Sequence, residues 1–202
     1  EVTVAQLRAV NADELGEVLK ESTRGIDNPE GMPAWFFDVP GALAFEKASG
    51  KRIPTVPQWL HAAFGPFSES QSKYPWGNDL LDPTRAYADP ESKEPIPQRV
   101  GGRERGASPY GIEDMAGNVA EWVRNGAGNT LWVIGGHHQM SYASLDSLSG
   151  ASPIRKPMPG SESYDAMNST EKETWKNYRF QNLGKDAVSW GSGLRMVVPV
   201  KQ

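Results

Sequence analysis

The sequence predicts a single α+β domain that is rich in loops and has short strands and two or three helices. Three observations support this prediction. The 21 glycines and 16 prolines divide the 202-residue chain into short segments, the seven tryptophans supply aromatic anchors, and only a few segments have a helical or strand period. Because a chain of this length builds one compact core, we predict one domain over residues 1–202.

The first quarter of the chain contains two predicted helical regions and one strand. Apolar residues recur at helical spacing in residues 4–10 and 13–21. Residues 34–37 are apolar and aromatic, which predicts a short buried strand. Asp38 is a good N-cap for a helix over residues 39–49, which a glycine then stops.

The best-specified helix is predicted over residues 55–64. Thr55 and Gln58 have the spacing of a capping box, in which each side chain bonds the backbone N–H of the other residue. Pro57 lies in the first turn, where its missing N–H costs little, and Gly65 ends the apolar face. We expect this helix to be part of the scaffold.

The remaining strands are predicted in the second half of the chain. Residues 132–136 read as a central strand, and residues 188–190 and 193–198 as the last strands. Between them, residues 141–184 are rich in Ser, Gly, Pro, Asn and Tyr. This segment is longer than a simple connection needs, so we predict an exposed, functional loop.

The stretch 109–123, PYGIEDMAGNVAEWV, combines glycines with carboxylates and apolar anchors. Gly111 and Gly117 permit backbone angles closed to other residues, and Asp114 and Glu121 are hard oxygen ligands. Such a loop is typical of the irregular oxygen cage that Ca²⁺ accepts. The alternative is that Asp114 caps a turn and Glu121 pairs with a basic residue, and the spacing alone leaves both interpretations open.

This stretch resembles the signature G-L-x-D-M-x-G-N-V-x-E-W of the sulfatase-modifying domain family, typified by formylglycine-generating enzyme. The resemblance implies a C-type lectin-like fold of the formylglycine-generating-enzyme type. Four further segments resemble family motifs in the same order along the chain: RIPTVPQW at 52–59, YPWGN at 74–78, WVIGG at 132–136 and GLRMV at 193–197.

The resemblance also implies calcium as a structural ion. The ligands of the family fall here on the side chains of Asp114 and Glu121 and on the carbonyl groups of Gly117 and Val119. A second family site is expected to include Asp89, which stands where the family has Asn. We expect calcium and neither copper nor iron.

The catalytic cysteine pair of the family is missing, because the chain contains no cysteine. The corresponding positions are Met140 and Leu145, which cannot supply two thiolates, so the formylglycine reaction is excluded. The sulfoxide synthase branch holds its iron with histidines from a separate domain. A further branch oxidises a side chain during siderophore maturation without cysteines, and this metal-dependent oxidase is the alternative. In it, Glu113, Tyr142 and the adjacent His137 and His138 would matter.

With the formylglycine reaction excluded, we predict a non-catalytic ligand-binding or display module rather than an enzyme. Similar scaffolds include variable proteins diversified by retroelements, in which the varied residues lie in the last third. Rings and small polar groups suit adaptable recognition of a protein or glycan. An ordinary family loop is the alternative. The residues expected to form this recognition surface are His137, His138, Tyr142, Tyr164, Trp175, Tyr178 and Trp190.

Charge and hydropathy restrict the other partners. The net charge of −4 includes no basic run, which argues against nucleic acid. No apolar run reaches the roughly 20 residues that a membrane span needs. The first residue is not Met, which favours a processed protein or a domain from a longer chain. We expect a cell-surface, extracellular or virion-associated location.

Overall fold

The computed structural model describes residues 1–10, 12–66, 72–89, 91, 96–124, 131–145, 158–159 and 192–199. Within these residues, helices occupy mainly the first third of the chain, and short 3-10 turns lie at 13–15, 29–31 and 104–106. The helices are α1 (Val4–Ala9), α2 (Gly16–Thr23), α3 (Val39–Ser49), α4 (Val56–Phe64) and α5 (Tyr142–Leu145).

A four-stranded sheet lies in the second half of the described chain. Its strands are β1 (Ala120–Arg124), β2 (Leu131–Ile134), β3 (Met158–Pro159) and β4 (Ser192–Gly193), in the spatial order β3-β2-β1-β4. β1 is antiparallel to β2 and parallel to β4, and β2 is antiparallel to β3. The predicted α+β class, with short strands, is confirmed.

The two helices with predicted caps begin and end where the sequence placed them. In α3 the side chain of Asp38 accepts the N–H of Gly41 at 2.8 Å, and Gly50 follows the last turn with φ 68°. In α4, Thr55 and Gln58 bond each other's backbone N–H groups, as expected of a capping box. Local capping chemistry therefore sets both elements.

The predicted strand at 34–37 is wrong. Phe36 has φ 68°, a left-handed conformation that interrupts an extended strand. Trp35 makes only an isolated bridge to Gly193, and Phe37 donates its N–H to the carbonyl of Ser192. The segment is buried as predicted, but it runs beside β4 without forming a strand.

Other boundaries differ from the predictions. The predicted helical region 13–21 divides into a 3-10 turn and α2, and the short helix α5 lies within the segment 141–184 that was predicted to be a loop. β1 was missed because it lies inside a stretch interpreted as a loop. Of the predicted strand 193–198, only Gly193 lies in β4, and Val197 bridges Arg52. Residues 188–190 lie outside the described residues.

The sheet separates two hydrophobic clusters. Trp122 of β1 packs with α1 to α3, whereas the next residue, Val123, packs with α4 and the loops after it. In β2, Leu131 and Ile134 divide in the same way. Because successive side chains of a strand point to opposite faces, β1 and β2 are covered on both sides. The loop before β1 lies against the segment at residues 98–101, to which Asn118 and Asp114 are hydrogen-bonded.

None of the described helices has the length and hydropathy needed to span a bilayer.

Candidate functional site

The loop that precedes β1 is fixed by three residues with left-handed backbone angles. Asp114, Gly117 and Asn118 have φ of 56°, 78° and 57°. A Cβ on Gly117 would lie 2.4 Å from the carbonyl oxygen of Tyr87, so only glycine fits there. The carboxylate of Asp114 accepts the N–H of Gly101 at 2.6 Å. The loop is therefore closely packed against the preceding segment of the chain.

Glu121 is the most strongly bonded carboxylate of this region. It lies on β1 with 1% of its surface exposed, and its oxygens are 2.8–3.0 Å from Nε and Nη2 of Arg195. Trp59 Nε1 donates a further hydrogen bond to Oε2 at 2.5 Å. Arg195 also donates to the carbonyl oxygen of Glu113 at 3.0 Å. Glu121 and Arg195 thus form a buried ion pair that joins α4, β1 and the chain after β4.

Asn118 is a central hydrogen-bonding residue that the sequence interpretation did not single out. Its side chain accepts the N–H of Gln98 and donates to the carbonyl oxygen of Gln98 and to Glu1. Its own carbonyl oxygen accepts bonds from the backbone N–H and the ring Nδ1 of His138. The signal was its place in the G-N-V motif, directly after Gly117.

Arg195 lies among three carboxyl groups, those of Glu121, Glu1 and Asp114. The carboxylate of Glu1 accepts the N–H of Val119 at 3.2 Å, and burial raises the pKa of Glu1 to about 8. Burial also raises the pKa of Asp114, although the hydrogen bond from Gly101 opposes this shift. Against the larger effect of burial, the N-terminal ammonium and Arg195 both lower the pKa of Glu1 and of Asp114, so two cations act on these carboxyl groups.

The predicted calcium ligands fit unequally. Asp114 binds Gly101 through Oδ2 only, and Oδ1 accepts no hydrogen bond from a described residue, so this carboxylate fits a cation. Glu121 does not fit, because Arg195 and Trp59 occupy its lone pairs. Within the described residues, no three His, Cys, Asp or Glu side chains converge as a metal site. That statement concerns side chains, whereas the predicted ligands Gly117 and Val119 of the same loop would bind through their backbone carbonyl groups.

Asp89, the candidate ligand of a second calcium, is half-buried at the end of a short bridged segment. Its backbone N–H donates to the carbonyl oxygen of His138, which ties it to the chain after β2. The carboxylates of Asp89, Asp114 and Glu121 do not form a common cluster in the described chain. Calcium at either place stays a prediction.

The two histidines of the predicted recognition surface are buried, which corrects that part of the prediction. His137 and His138 are 4% and 0% exposed, and their rings are 6.1 Å apart at 78°. The two residues begin a turn, which the N–H of Met140 closes on the carbonyl oxygen of His137. His138 lies edge-on to Trp35 and parallel to Tyr87. Both imidazoles belong to the interior.

His137 is held neutral by its surroundings. Burial, and to a smaller extent the neighbouring His138, lowers the pKa of His137 to about 3. Its Nδ1 accepts the N–H of Gln139 at 3.3 Å, so Nε2 carries the proton of the neutral ring. Nε2 is buried and has no hydrogen-bond partner among the described residues.

The positions of the family's cysteine pair are part of the hydrophobic core. Met140 and Leu145 are 1% and 0% exposed. Both pack on Gly136, where a Cβ would lie 2.4 Å from Leu145 Cδ2 and 3.3 Å from Met140 Sδ. Tyr142, between them, is half-buried and donates its hydroxyl to the carbonyl oxygen of Ala86 at 3.2 Å. The other members of the predicted recognition surface, Tyr164, Trp175, Tyr178 and Trp190, lie outside the described residues.

Comparison with known proteins finds relatives of several kinds. Hercynine oxygenase of Mycobacterium tuberculosis is 36% identical over 98 residues, which cover 48% of this chain and 23% of that protein. Formylglycine-generating enzyme of Thermomonospora curvata is 33% identical over 90 residues, which cover 40% of this chain and 29% of that protein. The chain therefore spans less than a third of the length of these relatives.

The structure of Treponema denticola variable protein 1 has the same fold. It superposes with a TM-score of 0.54 at 15% identity and covers 79% of this chain and 76% of that chain. The predicted C-type lectin-like fold of the formylglycine-generating-enzyme type is confirmed. The family model of the sulfatase-modifying factor enzyme 1-like domain matches residues 1–180. The chain belongs to this family.

Proposed function

We propose that this domain is a non-catalytic binding module that presents a ligand-recognition surface on the C-terminal third of a family scaffold. The observation that carries the proposal is the chemistry at Met140 and Leu145. A thioether and an isobutyl group replace the two thiols, and both side chains are buried in the core. Without a thiolate at either position, the cysteine-dependent oxidation of the family has no reacting group here.

The surrounding packing supports a scaffold role for this region. Gly136 leaves room for Leu145 and Met140 at van der Waals distance, and both side chains pack in one hydrophobic cluster with Ile134 of β2. The fold shared with a variable protein supports display of changeable residues on a constant framework. Aromatic side chains suit that task, because a ring gives a large contact area with few rotatable bonds. With the two histidines buried, the recognition surface of the proposal consists of Tyr142, Tyr164, Trp175, Tyr178 and Trp190.

Paired binding and activity assays test this proposal. The protein would be screened against glycan and peptide arrays beside a Tyr164→Ala/Trp175→Ala/Tyr178→Ala variant. We expect saturable binding of a glycan or peptide that the triple variant loses, while Tyr110→Ala, at an exposed tyrosine before Gly111, retains it. Incubation with a cysteine-containing sulfatase peptide should yield no aldehyde. Aldehyde formation, or full binding by the triple variant, would overturn the proposal.

A second candidate function is a cysteine-independent, metal-dependent oxidase. The 36% identity to hercynine oxygenase over 98 residues favours it, because that relative is by name an oxygenase. A redox metal bound in stoichiometric amount would select this function over the binding module.

We also propose a structural calcium at the loop before β1. Asp114 would be its carboxylate ligand, with the carbonyl groups of Gly117 and Val119, and Glu121 would remain paired with Arg195. The burial of Asp114 supports the proposal, since burial raises the pKa of this carboxyl group and a bound cation would favour its charged form.

Elemental analysis of the purified protein by mass spectrometry separates these proposals. We expect one calcium per chain, lost in Asp114→Asn but retained in Asp13→Asn, which changes an exposed aspartate in the turn before α2. Neither copper nor iron is expected. Absence of calcium in the parent protein would exclude the calcium proposal. Stoichiometric iron or copper would instead establish the oxidase candidate.

A further inference from the structure

An open cleft lies on the side of the loop 96–105, outside the C-terminal third. Its volume is about 940 Å³, near the upper end of the range typical of ligand pockets. Three arginines line it, Arg99, Arg103 and Arg105, together with apolar side chains that include Pro83 and Ile96. We call this feature the arginine cleft.

Arg103 is held in a fixed orientation at the centre of the arginine cleft. Its Nε donates to the carbonyl oxygen of Pro83 at 3.1 Å, and Nη2 donates to Gln98 Oε1 at 2.6 Å. The guanidinium carbon lies 5.1 Å from the ring centroid of Tyr87, within the range of a cation–π contact. These contacts leave part of the donor set of Arg103 for a ligand, with little conformational entropy to lose on binding.

Arg99 is also positioned by the protein. Its Nη1 donates to the carbonyl oxygen of Asn28 at 3.1 Å. The guanidinium lies directly against Gly31, where a Cβ would be 2.7 Å from Nη2. A glycine at this position therefore allows Arg99 to lie flat on the turn, with its remaining N–H groups available to a ligand.

Three guanidinium groups against one lining carboxylate, that of Glu104, give the arginine cleft an excess of positive charge. The guanidinium groups of Arg99, Arg103 and Arg105 have no carboxylate within 4.0 Å in the described chain, whereas the backbone N–H of Arg103 donates to Glu113 Oε2 at 2.8 Å. Five other described arginines each have such a carboxylate: Arg8, Arg24, Arg85, Arg124 and Arg195. Three unpaired guanidinium groups on a chain of net charge −4 indicate an anionic partner.

The lining also indicates the kind of anion. Ile96 is 42% exposed and lies beside the arginines, together with Pro83 and Pro97. A sulfated saccharide presents mainly polar groups and would leave these apolar side chains without partners. A peptide with carboxylates and apolar side chains matches both features, because guanidinium groups bind carboxylates through paired hydrogen bonds. We propose that the arginine cleft binds an acidic peptide segment that also carries apolar side chains.

Fluorescence anisotropy with a defined peptide tests this proposal. The probe is a short fluorescein-labelled peptide of alternating Glu and Leu, compared with the same peptide in which Gln replaces Glu and with one in which Ser replaces Leu. We expect saturable binding of the Glu-Leu peptide that is at least about tenfold tighter than that of either comparison peptide. Equal binding of the Glu-Ser peptide or the Gln-Leu peptide would overturn the assigned ligand class.

Variants then locate the site. Arg105→Glu reverses an exposed charge whose side chain makes no described contact, so the fold should be kept, and we expect a loss of binding of at least about tenfold. Arg99→Ala/Arg105→Ala should lose binding as well. Arg52→Glu is the matched control, because Arg52 is exposed, has no carboxylate within 4.0 Å in the described chain and lies outside the cleft. An equal loss in the control would contradict the assignment.

Two further measurements complete the test. In the first, a heparin-derived saccharide competes with the labelled peptide. If the saccharide displaces the peptide and binds more tightly, the ligand is sulfated and the proposal is contradicted. The Tyr164→Ala/Trp175→Ala/Tyr178→Ala variant should bind the Glu-Leu peptide as the parent does. Failure of the recognition surface and failure of the arginine cleft are thereby distinguished, because the two sites use different residues.

Discussion

Arg195→Met is expected to lower the free energy of unfolding by about 3–5 kcal/mol, because it leaves the carboxylate of Glu121 buried without its counter-charge. Glu121 is 1% exposed and retains only the hydrogen bond from Trp59 in this variant. Methionine keeps much of the length and apolar stem of arginine, so the change removes charge more than volume. Urea unfolding monitored by tryptophan fluorescence measures the loss.

Two comparison variants show whether burial is the cause. Arg24→Met removes an ion pair with Glu21 in which Arg24 is 79% exposed, so we expect a loss below about 1 kcal/mol. Glu121→Gln/Arg195→Met removes both charges and should be more stable than Arg195→Met alone. If Arg195→Met is no more costly than Arg24→Met, the buried ion pair is not a main source of stability.

The parts of the fold that were predictable from the sequence are those determined by neighbouring residues. The caps of α3 and α4 use side chains three residues from the backbone groups that they bond, so Asp38, Thr55 and Gln58 could be assigned without a structure. The motif order predicted the fold for a different reason, since it reflects kinship rather than local physics. Both kinds of prediction held because neither required knowing which distant segments meet.

The parts that were not predictable depend on distant contacts. Glu121 and Arg195 are 74 residues apart, and nothing in the sequence around Glu121 identifies the arginine as its partner. The apolar run at 34–37 is buried, but the left-handed angle at Phe36 prevents a strand. A propensity for extended structure was overridden here by the fit of this segment against Gly193.

The same distinction explains the errors in the predicted site. His137 and His138 follow β2 after two glycines, and only the three-dimensional packing shows that they are buried. Asn118 joins Gln98, Glu1 and His138 through one residue, which the sequence could suggest only by its place beside Gly117. The three arginines between 99 and 105 were not singled out from the sequence, because exposure and pairing are properties of the fold.

The burial of His137 leads to the second large expected effect, a loss of stability in acid. The pKa of His137 is lowered from 6.5 to about 3 by burial, so the folded protein keeps the ring neutral in a range where the unfolded chain protonates it. Between these values the unfolded state binds more protons than the native state, and the free energy of unfolding falls as pH falls. Each pH unit costs up to about 1.4 kcal/mol from this one group.

His137→Leu removes this proton linkage, so the parent and the variant should differ in slope rather than only in stability. From pH 6 to pH 4 we expect the parent to lose up to about 2.7 kcal/mol more than the variant. Glu1 and Asp114, whose pKa values are raised, contribute a slope of the opposite sign, but they are present in both proteins and cancel in the comparison. Urea unfolding at several pH values gives both slopes, and His61→Gln, at an exposed histidine on α4, should follow the parent. Parallel curves for the parent and His137→Leu would show that the ring is accessible to protons in the folded state, contrary to its burial.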